Sequence, residues 1–201
     1  MIGAEASATG LADTAIGFYS YASGTDDVGV GPYEILQGDK STAIGAWADA
    51  MSDYSTSVGS GAYAGANKAT AVGFDSQAGG SQSFALGSQS VASASNSTAL
   101  GGAIDLNGNG TIEPNEQTTA SGGLSMALGS ASQATQNNAT AVGGEAAATG
   151  VGATSVGSGS LASGTAAATL GFGAQATQSG SVAIGWNSVA NVANTVSFGN
   201  A

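Results

Sequence analysis

The chain contains no cysteine, histidine or arginine, and lysine occurs only twice among its 201 residues. Without cysteine it can form no disulfide framework, no thiolate metal site and no thiol nucleophile. The formal net charge of −11 at pH 7 argues against nucleic acid or an anionic membrane surface as a partner, since the chain has almost no cations to hold either. No serine or lysine stands in a recognised catalytic context, so we predict that the protein is not an enzyme.

Long apolar runs are also missing. None approaches the roughly 18–20 residues needed to span a bilayer, and no signal peptide opens the chain. We therefore expect no direct membrane contact. If the parent protein is exported, we expect this chain to be an internal piece of it with an artificial start at Met1. Charged residues make up only 7% of the chain, and Gly and Pro together stay below the roughly 25–30% typical of disordered sequences, so the chain should fold.

What the chain does have is an apolar–glycine pair that recurs every 14 residues, with two gaps of 28. Such a fixed period predicts stacked units that bury their apolar surface against each other. No linker interrupts it, so we predict one elongated domain over residues 1–201. The pairs are Ile2-Gly3, Ile16-Gly17, Ile44-Gly45, Val58-Gly59, Val72-Gly73, Leu86-Gly87, Leu100-Gly101, Leu128-Gly129, Val142-Gly143, Val156-Gly157, Leu170-Gly171, Ile184-Gly185 and Phe198-Gly199.

One unit can be numbered from its apolar residue, as in residues 44–57, so that glycine takes position 2. Alanine then occupies position 7 in every regular unit, and small residues occupy positions 5 and 14. Two short alternating stretches per unit predict two strands and two turns, too few for a three-sided helix, so the coil is a flattened two-strand roll. We expect the apolar residue of position 1 to be buried. Aromatic residues at position 3 should fill the corner of the roll rather than form exposed ligand patches; they are Phe18, Phe74, Phe172 and Trp186.

A roll this thin buries too little apolar surface to be stable alone. The alanine column should leave flat faces against which another copy can pack closely. We therefore predict an obligate oligomer whose chains lie side by side.

The two 28-residue gaps predict inserted loops at 26–39 and 104–117. Val30-Gly31 falls in phase, but a coil there would put Glu34 and Leu36 into columns of small residues. In the second gap, Pro114 would occupy the apolar position. Loops that leave the stack fit both stretches better than degenerate coils do. The acidic first loop could contact a partner or, as we prefer, pack on the next subunit.

The second insert fits the EF-hand calcium loop, D-x-[DN]-x-[DN]-G-x5-E, at every fixed position. Oxygen ligands at loop positions 1, 3 and 5 converge on one ion, the residue at 7 offers its carbonyl, and the glutamate at 12 can bind through both oxygens. The flanks do not look helical, so we predict a bare calcium loop of weak, extracellular affinity; the alternative is an Asn-Gly turn that binds no metal. The predicted ligands are Asp105, Asn107, Asn109, the carbonyl of Thr111, Glu113 and Glu116.

The motif S-x-A-[IVL]-G, as in Ser41–Gly45, Ser97–Gly101 and Ser181–Gly185, resembles the head repeats of YadA-like trimeric autotransporter adhesins over essentially the whole chain. The resemblance implies an all-β, left-handed parallel β-roll in a side-by-side homotrimer. It also implies an adhesin head, anchored in a Gram-negative outer membrane through parts outside this sequence, that binds extracellular matrix, cells or other bacteria. Residues 194–200 resemble the junction with the neck of such heads.

Two other functions remain open from the residues alone. Threonine recurs at position 13 and could order water, as in ice-binding solenoids, although Phe84, Met126, Ala168, Val182 and Val196 interrupt the ladder. A phage or other fibre head built from the same roll is the second alternative.

Overall fold

The computed structural model describes residues 1–199, and the chain divides into two compact units, Met1–Asn96 and Ser97–Ala201. Each unit is an all-β parallel solenoid in which a coil of about 14 residues contributes one strand of three residues and one of two. Within residues 1–199 there is no α-helix, and therefore none long and apolar enough to cross a membrane. Asn200, at the end of the predicted neck junction, lies outside the described residues.

The first unit contains two parallel sheets, one on each side of the roll. The two-residue strands form one sheet, β1 (Ser7–Ala8), β3 (Tyr21–Ala22), β5 (Ile35–Leu36), β7 (Asp49–Ala50), β9 (Tyr63–Ala64), β11 (Gln77–Ala78) and β13 (Val91–Ala92). The three-residue strands form the other, β2 (Thr14–Ile16), β4 (Val28–Val30), β6 (Thr42–Ile44), β8 (Thr56–Val58), β10 (Thr70–Val72) and β12 (Phe84–Leu86).

The second unit repeats this arrangement and adds one 3₁₀ helix, Pro114–Glu116. Its three-residue strands are β14 (Thr98–Leu100), β16 (Met126–Leu128), β18 (Thr140–Val142), β20 (Thr154–Val156), β22 (Ala168–Leu170), β24 (Val182–Ile184) and β26 (Val196–Phe198). Its two-residue strands are β15 (Thr119–Ala120), β17 (Gln133–Ala134), β19 (Ala147–Ala148), β21 (Leu161–Ala162), β23 (Gln175–Ala176) and β25 (Val189–Ala190).

Small side chains form the interior of the roll. Ala71 at position 14 and Ala78 at position 7 have no exposed surface. Ile44 at position 1, in contrast, is 43% exposed. The prediction that the position-1 residue lies inside the roll of a single chain is therefore wrong, and the alanine column does not form an outer face. Alternation along a strand puts positions 14 and 1 on opposite sides, and the column without large side chains is the one that faces the other sheet.

The prediction that the position-3 aromatic residues fill the corner of the roll is wrong, because these residues lie on its surface. Phe74 and Trp186 are 55% and 67% exposed. Because the interior is already filled by alanine and serine, no space remains there for a ring.

The prediction that residues 26–39 leave the stack as a loop is also wrong, because they form a complete coil. β4 pairs with β2 and β6, and β5 pairs with β3 and β7, in the 14-residue register. Glu34 and Leu36 are fully buried among the small residues of neighbouring coils. Gly29 makes room for them, since a Cβ there would lie 2.8 Å from Glu34 Oε1 and 2.9 Å from Leu36 Cδ1. The absence of a side chain at Gly29 thus leaves room for the larger side chains of Glu34 and Leu36 on the other side of the coil.

Residues 104–117, in contrast, lie outside both strand ladders. β14 pairs with β16 and matches Thr98 to Met126, so the ladder passes over this stretch in a 28-residue register. The Ile104 N–H donates to the Glu116 carbonyl at 2.9 Å and closes the base of the loop.

Candidate functional site

Backbone N–H groups surround the carboxylate of Asp105 at the start of the 104–117 loop. Asp105 Oδ1 accepts hydrogen bonds from Gly108 N–H at 2.6 Å and Asn109 N–H at 3.2 Å, and its Oδ2 accepts one from Gly110 N–H at 2.8 Å. These bonds, that of Gly110 first, hold the pKa of Asp105 below its ordinary value of 3.8. The residue therefore carries a negative charge at neutral pH, which is the form in which a carboxylate binds a cation.

Asn107 and Asn109 connect Asp105 to Glu113 on the far side of the loop. Their side-chain amides donate to Glu113 Oε2 at 3.0 Å and Glu113 Oε1 at 2.7 Å, respectively. Their amide oxygens accept the N–H groups of Asn109 at 2.9 Å and Thr111 at 2.7 Å. The bond from Asn109 is the largest of the effects that lower the pKa of Glu113. Five of the six predicted ligands thus belong to one exposed hydrogen-bond network.

Glu116, the sixth predicted ligand, is buried beneath the loop. Its Oε1 accepts the Leu106 N–H at 3.0 Å, and its Oε2 accepts the Glu113 N–H at 3.1 Å. Together with the bond from the Glu116 N–H to the Glu113 carbonyl at 2.9 Å, these contacts fix the 3₁₀ helix.

The donor set therefore has the oxygen chemistry that calcium prefers, namely carboxylate, amide and carbonyl oxygens. The carboxylates themselves do not converge, since within residues 1–199 no three acidic side chains form a group that could hold a metal ion. The side-chain amides of Asn107 and Asn109 hydrogen-bond the Glu113 carboxylate instead, and backbone N–H groups occupy both oxygens of Glu116. Calcium binding would require Glu113 and Glu116 to change partners.

A second candidate surface is the apolar ladder on the outside of the three-residue strands. In the first unit the register aligns Val30, Ile44, Val58, Val72 and Leu86 in one row. In the second unit it aligns Leu128, Val142, Val156, Leu170 and Ile184. All ten side chains are at least partly exposed. The side chains that the sequence pattern predicted to be internal thus form a continuous apolar row on the surface of each unit.

Sequence reasoning missed a third surface, formed by aromatic residues at position 4. The rings of Tyr19 and Tyr33 are parallel, with centroids 5.6 Å apart, and those of Tyr33 and Trp47 are parallel with centroids 4.4 Å apart. The signal was present in the sequence as three aromatic residues spaced by 14, but the prediction of a loop over residues 26–39 removed Tyr33 from the stacking register.

Comparison with known proteins gives a family match and a similar solved structure. The YadA head domain repeat (2 copies) matches residues 8–31, 37–62, 50–76, 64–90, 78–103, 120–146, 170–188 and 176–201. Among solved structures, the collagen-binding domain of the Yersinia adhesin YadA is similar, with 24% sequence identity over 83% of this chain and 69% of that chain and a TM-score of 0.42. No curated protein sequence matches the chain.

The matched repeats cover more than half of the sequence and include coils of both compact units. They include the coil at residues 44–57, which has the regular pattern of two strands, two turns and small residues in the interior. The chain belongs to the family of YadA head domain repeats and is an adhesin-type head domain.

Proposed function

We propose that this chain is the non-enzymatic head of a trimeric adhesin. Three copies of the roll, which we take to be left-handed, lie side by side and are displayed on the surface of a Gram-negative bacterium, anchored in the outer membrane through other parts of the parent protein. The head attaches the cell to an extracellular matrix protein or to another surface.

The exposed apolar ladder is the observation that most directly supports a trimer. Leu170, for example, is 55% exposed and stands in a row of branched side chains that continues above and below it. Continuous apolar patches of this kind on a soluble protein mark an interaction surface. A closed cyclic arrangement lets every copy cover the same face of its neighbours, which is what the repeated ladder requires.

The trimer is tested by placing a charge in the ladder. Val72→Asp puts three carboxylates into the apolar interface, and because burying each unpaired charge costs several kcal/mol, we expect the trimer to dissociate or unfold. Analytical ultracentrifugation should give three times the chain mass of 18.9 kDa for the unmodified protein and for the control Gln77→Asp. Gln77 is exposed on the opposite sheet. A folded monomer with the unmodified sequence would refute the proposal.

Adhesion itself is tested with the same proteins on a panel of immobilised matrix proteins and abiotic surfaces. Collagen is the first probe, since the similar YadA domain is described as collagen-binding. We expect the trimer and the Gln77→Asp control to bind at least one surface and the Val72→Asp protein to bind none. Failure of the intact trimer on every surface would count against an adhesive role.

We also propose that the 104–117 loop binds calcium. The oxygen-rich donor set, the depressed pKa of Asp105 and of Glu113, and the glycine at loop position 6 support this. With two amides in place of carboxylates, the dissociation constant should fall near the extracellular range of about 10⁻⁴–10⁻³ M.

Isothermal titration with calcium at millimolar concentration checks this prediction. We expect one weak site per chain, lost in Asp105→Ala because the N–H groups of Gly108 and Gly110 then lose their acceptor and the loop its first ligand. Asp75→Ala, which removes an acid from a regular coil, should leave the heat unchanged. If the unmodified protein gives no calcium heat, the loop is an Asn-Gly turn without a metal.

A further inference from the structure

An aromatic groove of about 670 Å³ lies on the two-residue-strand side of the first unit. Tyr19, Tyr33 and Trp47 at position 4 form its wall, and Tyr21, Ile35 and Asp49 at position 6 form its floor, with Gln37 beside them. Phe18 packs edge-on against Tyr19 and Tyr33, with ring centroids 4.5 and 5.4 Å away. The groove is separate from the outward apolar ladder, which belongs to the other sheet.

The fold does not require these rings. In the next coils of the same unit, position 4 is Gly61, Asp75 and Gln89, and the turn has the same left-handed backbone conformation at each of them. Trp47 is 60% exposed and Tyr19 is 44% exposed, so neither ring fills the interior of the roll. A concentration of exposed aromatic residues that folding does not explain indicates a binding surface.

Asp49 gives the groove its charge. One of its oxygens accepts the Ile35 N–H at 3.2 Å, and the side chain is half-buried between the neighbouring position-6 residues. Burial raises the pKa of Asp49, because desolvation disfavours the charged form. No cation lines the groove. The chain's two lysines lie elsewhere, and Lys40 Nζ stands 5.5 Å from the ring centroid of Tyr54.

We propose that this groove binds a lysine or arginine side chain presented by a basic segment of a partner protein. The alkyl stem packs along the aromatic wall, and the cationic head meets the Asp49 carboxylate. The charge is complementary, since the groove is acidic and the chain as a whole carries −11. The assignment rests on the proposed adhesin function and specifies the chemistry of its ligand.

Other occupants fit less well. A neutral sugar would find both faces of Tyr33 covered, one by Tyr19 and the other by Trp47, and it would supply no cation to the Asp49 carboxylate. An anionic ligand would be repelled by Asp49 and by Glu5, whose hydrogen bond to Tyr19 raises the pKa of that phenol.

The test uses the fluorescence of Trp47 in the full chain. The substitution Trp186→Phe removes the other tryptophan, so that the signal comes from Trp47 alone. A short lysine-rich peptide is titrated at physiological salt, where long-range attraction to the net charge is screened. We expect a saturable change with this peptide and none with glutamate-rich or neutral peptides. Asp49→Asn should weaken binding about tenfold, which corresponds to about 1.4 kcal/mol, while Glu145→Gln removes the same charge from another coil and should have no such effect.

Three results would overturn the assignment. One is an equal loss of affinity in Asp49→Asn and Glu145→Gln, which would show that only net charge matters. Another is saturable binding of a neutral oligosaccharide with no binding of the basic peptide. The third is protection of Trp47 from a neutral quencher in the free trimer, which would mean that another copy covers the groove. Each of these leaves the trimer and adhesion experiments unaffected, so failure here is distinguishable from failure of the proposed function.

Discussion

Replacing Gly73 with alanine should lower the free energy of unfolding by about 4 kcal/mol or more, a loss that only a few kinds of substitution produce. A Cβ at Gly73 would lie 2.5 Å from the carbonyl oxygen of Gly87 in the next coil. The φ of Gly73 is +136°, a conformation that side chains rarely adopt. Neither problem can be relieved locally, because the obstructing atom belongs to the backbone and the Gly73 N–H is bonded to the Val58 carbonyl at 2.8 Å.

Gly79→Ala is the matched control in the same unit. A Cβ there would meet nothing closer than the Cα of Ser93 at 3.9 Å, and its φ is not in the left-handed region. We expect a change within about 1 kcal/mol, since alanine mainly restricts the unfolded chain at such a site. Denaturant unfolding followed by circular dichroism, at one protein concentration because assembly affects stability, measures both variants. Equal losses would show that close stacking of the glycine column is not what stabilises the coils.

Gly29→Ala should be the second severe substitution, with a cost of about 1–3 kcal/mol from overpacking. The new Cβ would lie within 3 Å of both Glu34 and Leu36, and both of these side chains are fully buried. The effect should depend on those two residues. In a protein that also carries Glu34→Ser and Leu36→Ala, the coil acquires the small residues of its neighbours, and Gly29→Ala should become neutral or stabilising.

The double-mutant cycle between Gly29 and the Glu34/Leu36 pair measures this dependence. We expect a coupling of about 0.5–3 kcal/mol in favour of the fully substituted coil, as for residues in direct contact. Additive effects would mean that residues 26–39 are not packed as a coil in solution and that the predicted loop was right.

The pH dependence of the free energy of unfolding provides a second test of whether Glu34 is buried in this interior. Glu34 is fully buried, and desolvation, the largest of the effects on its carboxyl, raises its pKa above the ordinary 4.5. Between that value and the raised one, the folded chain binds more protons than the unfolded chain, so stability should fall as the pH rises through this window. Glu34→Gln should reduce that slope in urea midpoints measured across the window, with the remainder due to Asp49, whose pKa is also raised. An unchanged slope would place the titrating group elsewhere.

The regular part of the fold could be predicted from the sequence because its signal repeats. The period of 14, the two strands per coil and the glycine column appear in the structure at the predicted positions, as in the register of Val72 with Leu86. The predictions that failed, for the position-1 residues, the position-3 aromatic residues and residues 26–39, all depend on packing between strands. Glu34 and Leu36 looked too large for their columns, and only the contact with Gly29, seven residues from Leu36, shows where their volume goes.

The candidate sites divide in the same way. The ligand pattern of the 104–117 loop is local, so the sequence alone indicated Asp105, Asn107 and Asn109 as neighbours, and their hydrogen bonds join them in one network. The aromatic groove is not local, since Tyr19, Tyr33 and Trp47 become neighbours only when successive coils stack. The sequence could not indicate whether Glu116 faces an ion or the backbone, because that choice depends on hydrogen bonds from Leu106 and Glu113.

By itself, the sequence determined the repeat, the parallel two-strand coil and the family, because a strictly phased pattern allows few other structures. Only the tertiary structure decided which side of each strand is inside. The alternation of side chains along a strand shows which residues share a face, but it does not show which of the two faces is internal. The two sheets lie so close that alanine, serine and glycine fill the space between them, and the branched residues are therefore left on the surface, where another copy of the chain can cover them.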